Sequence, residues 1–379
     1  MSVAERLAQL QELGQSVWLD IISRDLIDSG ELGRLVESGV RGLTSNPTIF
    51  EKAIAGSASY DEQISELAHQ GLAASAIFDR LAVADVQAAA DILRPVFQES
   101  GGADGYVSIE VSPVYADDTE QTVREVRRLR ELVDRPNLLV KVPATVAGIE
   151  AIHRCLAEGM NINVTLMFSM THYNAVAEAY ISALEERLGR GEDVAASASV
   201  ASFFVSRVDT LADKLIDERL AAEPDERQRP ALEGLRGRLA VVNSKLVYAR
   251  WKELFGSERW QRLAAQGARP QRLLWASTST KNPAYSDVKY VDELIGPETV
   301  TTLTPETLAA FEDHGVVRLT IESDIEEARR LAAQAHEVGL DLEELGARLQ
   351  VDGVAAFTAS YNEVLAVIDA KVRALGEAR

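Results

Sequence analysis

The sequence predicts an α/β fold in which parallel βαβ units close into a (β/α)8 barrel, the TIM-barrel architecture. Three observations predict it. Short apolar strands alternate with helix-patterned segments about eight times along the 379 residues. About six of those strands carry a polar residue towards their C-terminal ends, the face on which such a barrel places its chemistry. No glycine-rich turn follows the first strand, as the structural alternative, a doubly wound dinucleotide-binding sheet, requires. We read residues 1–379 as one domain with extra N-terminal helix, a helical insertion at about 215–250 after the sixth strand, and a C-terminal helical extension at about 320–379.

The chain opens with an amphipathic helix over about residues 2–14, stopped by Gly14. The first strand, 16–22, is apolar apart from Ser16 and Asp20, and an ionised Asp is rarely left unpaired in a core. A helix at about 28–38 leads to the second strand, 42–47, broken by Pro47. Helices follow at about 57–70 and 73–99, the latter with Ile77, Leu81, Val83 and Val86 at helical spacing. The third strand is 106–111, and a charged helix at about 118–133 leads to the fourth, 138–143, which reads Leu-Leu-Val-Lys-Val-Pro. A helix at 146–157, a fifth strand at 161–166, a helix at about 169–188 and a sixth strand at 198–205 keep the alternation. Residues 206–266 are helical and charged, longer than one crossover needs; the seventh strand is 272–277, the eighth 299–304, and the remainder is helical.

Composition narrows the function. A net charge of −20 argues against a nucleic-acid partner and demands that any phosphate site be locally basic. Cys155 is the single cysteine, which excludes an intrachain disulfide and suits a reducing cytosol. Neither a signal-peptide pattern nor a run of 18 apolar residues occurs, so the expectation is a cytoplasmic protein without a membrane span. The five histidines are scattered, no metal-ligand spacing is seen, and no glycine-rich phosphate loop occurs. A cofactor-free, metal-free enzyme, or no enzyme, is what composition leaves open.

Residues two apart on a strand share a face. Thr44 and Asn46 therefore point together, as do Ser108 and Glu110, Asn163 and Thr165, and Ser202 and Phe204. Asp20 and Lys141 add a carboxylate and an ammonium near the ends of the first and fourth strands. Each has a plain reading alone: Asn46 as a turn residue, Thr165 as a β-former, Glu110 as an ion-pair partner of Lys141 at the barrel bottom, Asp20 as a cap for the segment opening at Ser23. Taken together, they converge on one mouth. Burying an ammonium among Leu and Val side chains disfavours its charged form, and a neutral lysine attacks carbonyls to form a Schiff base. Dehydration of the carbinolamine needs a proton shuttle, which Glu110 relaying through a water held by Thr165 would supply. Asp20 would remove a hydroxyl proton and drive carbon–carbon cleavage, while Asn46 and Asn163 would hold substrate hydroxyls. Two further stretches look like an anion site: Arg207 after the sixth strand, and Ser279 with Lys281 after the seventh.

At these residues the chain resembles the transaldolase family of Schiff-base aldolases. The resemblance rests on three blocks: 42–50 (GLTSNPTIF), 139–149 (LVKVPATVAGI) and 161–169 (NINVTLMFS), and it covers about residues 16–315. It implies a cofactor-free enzyme of the pentose phosphate pathway, a transferase of carbohydrate metabolism. Such enzymes move a dihydroxyacetone unit from sedoheptulose 7-phosphate to glyceraldehyde 3-phosphate, giving erythrose 4-phosphate and fructose 6-phosphate. It implies Lys141 as the Schiff-base lysine, Asp20 as the acid/base, and Glu110 and Thr165 as holders of the catalytic water. Thr44, Asn46 and Asn163 would contact the sugar, Ser202 and Phe204 would line the site, and Arg207, Ser279 and Lys281 would bind phosphate. The expected partners are phosphorylated sugars, with the protein a monomer or homodimer. A related aldolase that releases free dihydroxyacetone, and an inactive barrel serving as an interaction module, are the alternatives.

Overall fold

The computed structural model describes residues 3–222 and 228–377. Residue 2 of the expected first helix, residues 223–227 of the 215–250 segment and residues 378–379 of the C-terminal extension lie outside the described residues. Eight strands form a closed parallel barrel in sequence order: β1 Gln15–Leu19, β2 Gly42–Leu43, β3 Tyr106–Glu110, β4 Leu138–Pro143, β5 Ile162–Met167, β6 Ser199–Phe204, β7 Arg272–Ala276 and β8 Thr299–Leu303, which pairs back with β1. The strands read as unbroken apolar runs because helices cover the outer face and side chains fill the inner one. β4, β5, β6 and β8 are buried at every residue.

Alternate residues of each strand point into the barrel and stack in layers. At the bottom, Asp104 accepts hydrogen bonds from Ser16 Oγ and from Trp18 Nε1 (2.7 Å), while Arg272 Nη2 donates to Ser16 Oγ (2.8 Å) and to the Thr299 carbonyl (2.7 Å). Trp18 lies so close to Gly42 of β2 that any Cβ there would come within 2.5 Å of the indole, which explains a glycine at that strand start. Above this plug, Asn163 Nδ2 donates to Ser108 Oγ (3.0 Å) and its Oδ1 accepts from Ser202 Oγ (2.7 Å), tying β3, β5 and β6 together. The polar top layer is the mouth.

The strands lie where the sequence places them, but six are shorter, β2 most of all. β2 ends at Leu43, and a helix, Pro47–Gly56, begins where the sequence suggests only a broken strand. Asn46 is its N-cap, accepting from the Ile49 amide (3.0 Å), and Pro47 takes the first helical position, where its missing N–H costs nothing. The expected helix at 28–38 is two short ones, Arg24–Asp28 and Glu31–Glu37, separated by Gly30 at φ +75°. Residues 206–266 form helices Ser206–Ala221, Arg229–Leu235, Leu239–Phe255 and Glu258–Ala264 among the described residues, and the third buries Val241, Val242, Val247 and Trp251. The last helix, Leu342–Glu377, packs against Pro47–Gly56 and crosses the C-terminal end of the barrel. There Gln350 Nε2 donates to the carbonyls of Ala144 (2.8 Å) and Leu166 (3.1 Å), just beyond β4 and within β5. Among the described residues, no helix is long and apolar enough to cross a membrane.

Candidate active site

A pocket of about 550 Å³ opens at the C-terminal ends of the strands. Lys141 and Thr165 line it from below, Asp20, Thr44 and Asn46 from the β1–β2 side, and Ser202, Phe204, Arg207, Ser279 and Lys281 from the β6–β7 side. Ten of the twelve expected residues therefore share this cavity. Glu110 and Asn163 lie just outside it.

Register explains the placement. Glu110 pairs with Lys141 across β3–β4, and Lys141 pairs with Asn163 across β4–β5, so the three occupy one row of the barrel. Lys141 is 4 % exposed. Its Nζ donates to the Ser45 carbonyl (3.1 Å) and lies 3.2 Å from Glu110 Oε2. The ion pair is thus at the top of the barrel, not the bottom. Burial pushes the Glu110 carboxyl pKa up; the Lys141 ammonium opposes the shift, and the nearby charge of Asp20 adds to it.

Thr165 Oγ1 is buried without a hydrogen bond among the described residues, and Glu110 Oε2 is buried against Lys141 Nζ. Thr165 precedes Leu166, whose φ of +57° accompanies a register irregularity between β5 and β6. Bulges of this kind re-aim side chains beside active sites. Asp20, one residue past β1, accepts from Thr44 Oγ1 (2.8 Å), which fixes its carboxylate over the pocket. The cap of the following helix is Ser23, whose Oγ accepts from the Leu26 amide (3.1 Å), so Asp20 has no capping task. Asn46 does cap a helix. Because its Oδ1 accepts from Ile49, its amide nitrogen is the atom left for a ligand. Asn163 is fully engaged by Ser108 and Ser202 and lies beneath the pocket floor.

Arg207 stands in the first turn of helix Ser206–Ala221, where the helix dipole adds to its charge. Its guanidinium packs over Phe204 (5.2 Å to the ring centre) and Phe357 (5.9 Å), and its desolvation lowers its pKa against the pull of Asp20 and Glu110. Ser279 Oγ meets Thr307 Oγ1 (2.9 Å) at the start of helix Pro305–His314, and Lys281 is exposed on the rim. Among the lining residues that sequence reasoning missed are Lys52 and Phe357. Lys52 follows the Asn-Pro start of the unrecognised helix, and that N-cap signal was the available clue. Phe357 comes from the last helix, and nothing in its spacing announces that it reaches the mouth.

Sequence comparison assigns the family. The family model described as "Transaldolase/Fructose-6-phosphate aldolase" matches residues 17–368. This chain belongs to that family. The match runs beyond the 16–315 on which the resemblance rested and takes in most of the last helix. Proteins named transaldolase are similar nearly end to end. That of Trichodesmium erythraeum is 44 % identical, with 98 % of this chain and 99 % of the relative aligned. That of Acidothermus cellulolyticus is 45 % identical over 100 % and 99 %. That of Mycobacterium bovis is 45 % identical over 95 % of each. Membership fits the closed eight-strand barrel.

Proposed function

We propose that this chain is a transaldolase, transferring a dihydroxyacetone unit from sedoheptulose 7-phosphate to glyceraldehyde 3-phosphate through a Schiff base on Lys141, as a cytoplasmic enzyme of the pentose phosphate pathway. The observation that carries the reading is Lys141, almost wholly buried at the pocket floor with its Nζ 3.2 Å from Glu110 Oε2.

Proton transfer from the lysine to Glu110 gives a neutral amine, which attacks the ketose carbonyl. Glu110 returns the proton to the carbinolamine hydroxyl, the C–O bond breaks, and one water and an iminium result. Asp20, held by Thr44, takes the C4 hydroxyl proton, and the C3–C4 electron pair flows into the iminium. The aldose leaves, the enamine adds to the acceptor aldehyde, and the steps reverse. Thr165 Oγ1 is available to hold the water, Asn46 Nδ2 to donate to a sugar hydroxyl, and Arg207, Ser279 and Lys281 to bind the phosphate.

The test is borohydride reduction in the presence of fructose 6-phosphate, followed by peptide mapping. We expect one adduct, on Lys141, that disappears in Lys141→Met. An adduct on another lysine that survives this substitution would overturn the mechanism. Assays with and without acceptor aldehyde test transfer itself: rapid release of free dihydroxyacetone without acceptor would favour the aldolase reading.

A further inference from the structure

A second cavity lies beside the first, on the far side of Glu110. It has a volume of about 20 Å³; Asp79, Glu110, Ser112, Glu125 and Tyr361 form its polar side, Phe50, Phe78, Ala82, Ile109 and Leu129 its apolar side, and Asn46 is a wall shared with the substrate pocket. A polar cavity of more than about 10–15 Å³ holds a water molecule if partners are present. They are. Ser112 Oγ is buried without a well-formed hydrogen bond among the described residues, and the Glu110 carboxyl, whose Oε2 pairs with Lys141 Nζ (3.2 Å), lines the cavity. The Tyr361 hydroxyl interacts with Ser112, although the contact falls short of a well-formed bond.

The outer end of the cavity lies nearer the surface. Side-chain exposure rises from 5 % at Glu110 to 13 % at Glu125 and 28 % at Asp79, where Arg128 pairs with both outer carboxylates (2.6 and 2.8 Å). Its wall is completed by Tyr361 of the last helix, one turn beyond Phe357, which faces the substrate pocket. One face of this helix therefore borders both compartments, and Glu110 lines the smaller one while its carboxyl touches Lys141.

We propose that this side cavity is the water passage of the Schiff-base lysine: water expelled when Lys141 condenses with a ketose leaves past Glu110, Ser112 and Tyr361, and hydrolytic water returns the same way. The proposal rests on the transaldolase reading above. The step balances: the C–N bond forms, the C2–O bond breaks, the departing oxygen carries the proton from Glu110, and the iminium keeps the positive charge. Hydrolysis consumes one water in reverse. While a sugar phosphate fills the mouth, the carbon chain stands between Lys141 and bulk solvent. The side of Glu110 away from the substrate stays clear.

The test is oxygen exchange. In H2(18)O, with fructose 6-phosphate as donor and erythrose 4-phosphate as acceptor, the C2 oxygen of the product ketose is read by mass spectrometry after one turnover and immediate reduction. The wild type is expected to carry solvent oxygen in most turnovers. Ala82→Leu, which fills the cavity from the helix Ala74–Glu99, and independently Ser112→Val are expected to lower that fraction at least fivefold. Circular dichroism checks that each variant folds, and borohydride trapping on Lys141 checks the Schiff base separately, so loss of the adduct would count against the function and not the passage. Retention of the original oxygen by the wild type would overturn the passage. So would equal label in the wild type and a folded, filled variant, because the water would then use the mouth.

Discussion

Glu110 and Asn163 are the residues whose roles the geometry separates most clearly from those of the pocket lining. Glu110 touches Lys141 yet does not face the sugar, so its loss should act on the chemical step and not on binding. Glu110→Gln keeps the shape and removes the proton shuttle. We expect kcat to fall by about 10²–10⁴ with little change in KM, and the rate of borohydride trapping to fall in parallel; a change in KM alone would move Glu110 into substrate binding. Asn163 is wholly buried and joins three strands through Ser108 and Ser202. Asn163→Ala would leave two hydroxyls without their partner and should cost roughly 2 kcal/mol of stability, read from the urea midpoint at unchanged slope. Unaltered stability with a raised KM would instead give Asn163 a direct contact with the sugar. The alternation of side chains along a strand identified Asn163 as inward-facing, and the structure agrees. Alternation carries no information about depth, which is why a contact with sugar was expected where the residue lies below the floor.

At the scale of elements, the loop after β7 is held by a buried polar cluster on the helix that carries Arg207. Asp209 Oδ1 accepts from the Ala240 amide (2.7 Å) and its Oδ2 from Tyr290 (3.0 Å), with Lys289 Nζ 3.7 Å away. Asp213 accepts from Tyr285 (2.6 Å) and from the Gly237 amide (2.8 Å). Burial raises the Asp209 carboxyl to about 6, chiefly against the Ala240 bond and Lys289, with Asp213 adding to the rise. A raised carboxyl binds its proton more tightly folded than unfolded, so its contribution is full below about 4 and is lost as pH rises through about 6, a swing of roughly 3 kcal/mol. Asp209→Asn keeps an acceptor for Ala240 and removes the titration. The stability difference between variant and wild type should therefore move in favour of Asn between about pH 4 and pH 7, by denaturant midpoints. A difference independent of pH would show that Asp209 stays ionised throughout. Elements were legible in the sequence in proportion to their burial. The eight strands are buried on both faces and stood out. The helix Pro47–Gly56 was hidden by an Asn-Pro pair that reads equally as a strand break and as an N-cap. The last helix was recognised as a helix, but its apolar positions could not say that Phe357 and Tyr361 wall two different cavities.

For the whole molecule, the tension is between a global charge of −20 and a mouth that must accept phosphorylated sugars. Arg207, Lys281 and Lys52 supply local positive charge, although Glu306 lies near both lysines, which help to hold its carboxyl below the usual range after its own amide and Thr304. Long-range repulsion reaches as far as the Debye length, about 30 Å at 10 mM salt and about 10 Å at 100 mM. Contacts within the pocket act over a few ångströms in a partly desolvated site and are screened much less. Added salt should therefore remove more of the repulsion than of the attraction. We expect kcat/KM for fructose 6-phosphate to rise about two- to fivefold from 10 to 100 mM salt, with unphosphorylated fructose as donor nearly insensitive. Arg207→Ala should bind the phosphate more weakly at every salt concentration yet show a steeper rise, because the distant acidic surface then faces less local compensation. A fall in kcat/KM with salt for the wild type would mean that the mouth cations, and not the net charge, govern the approach of substrate.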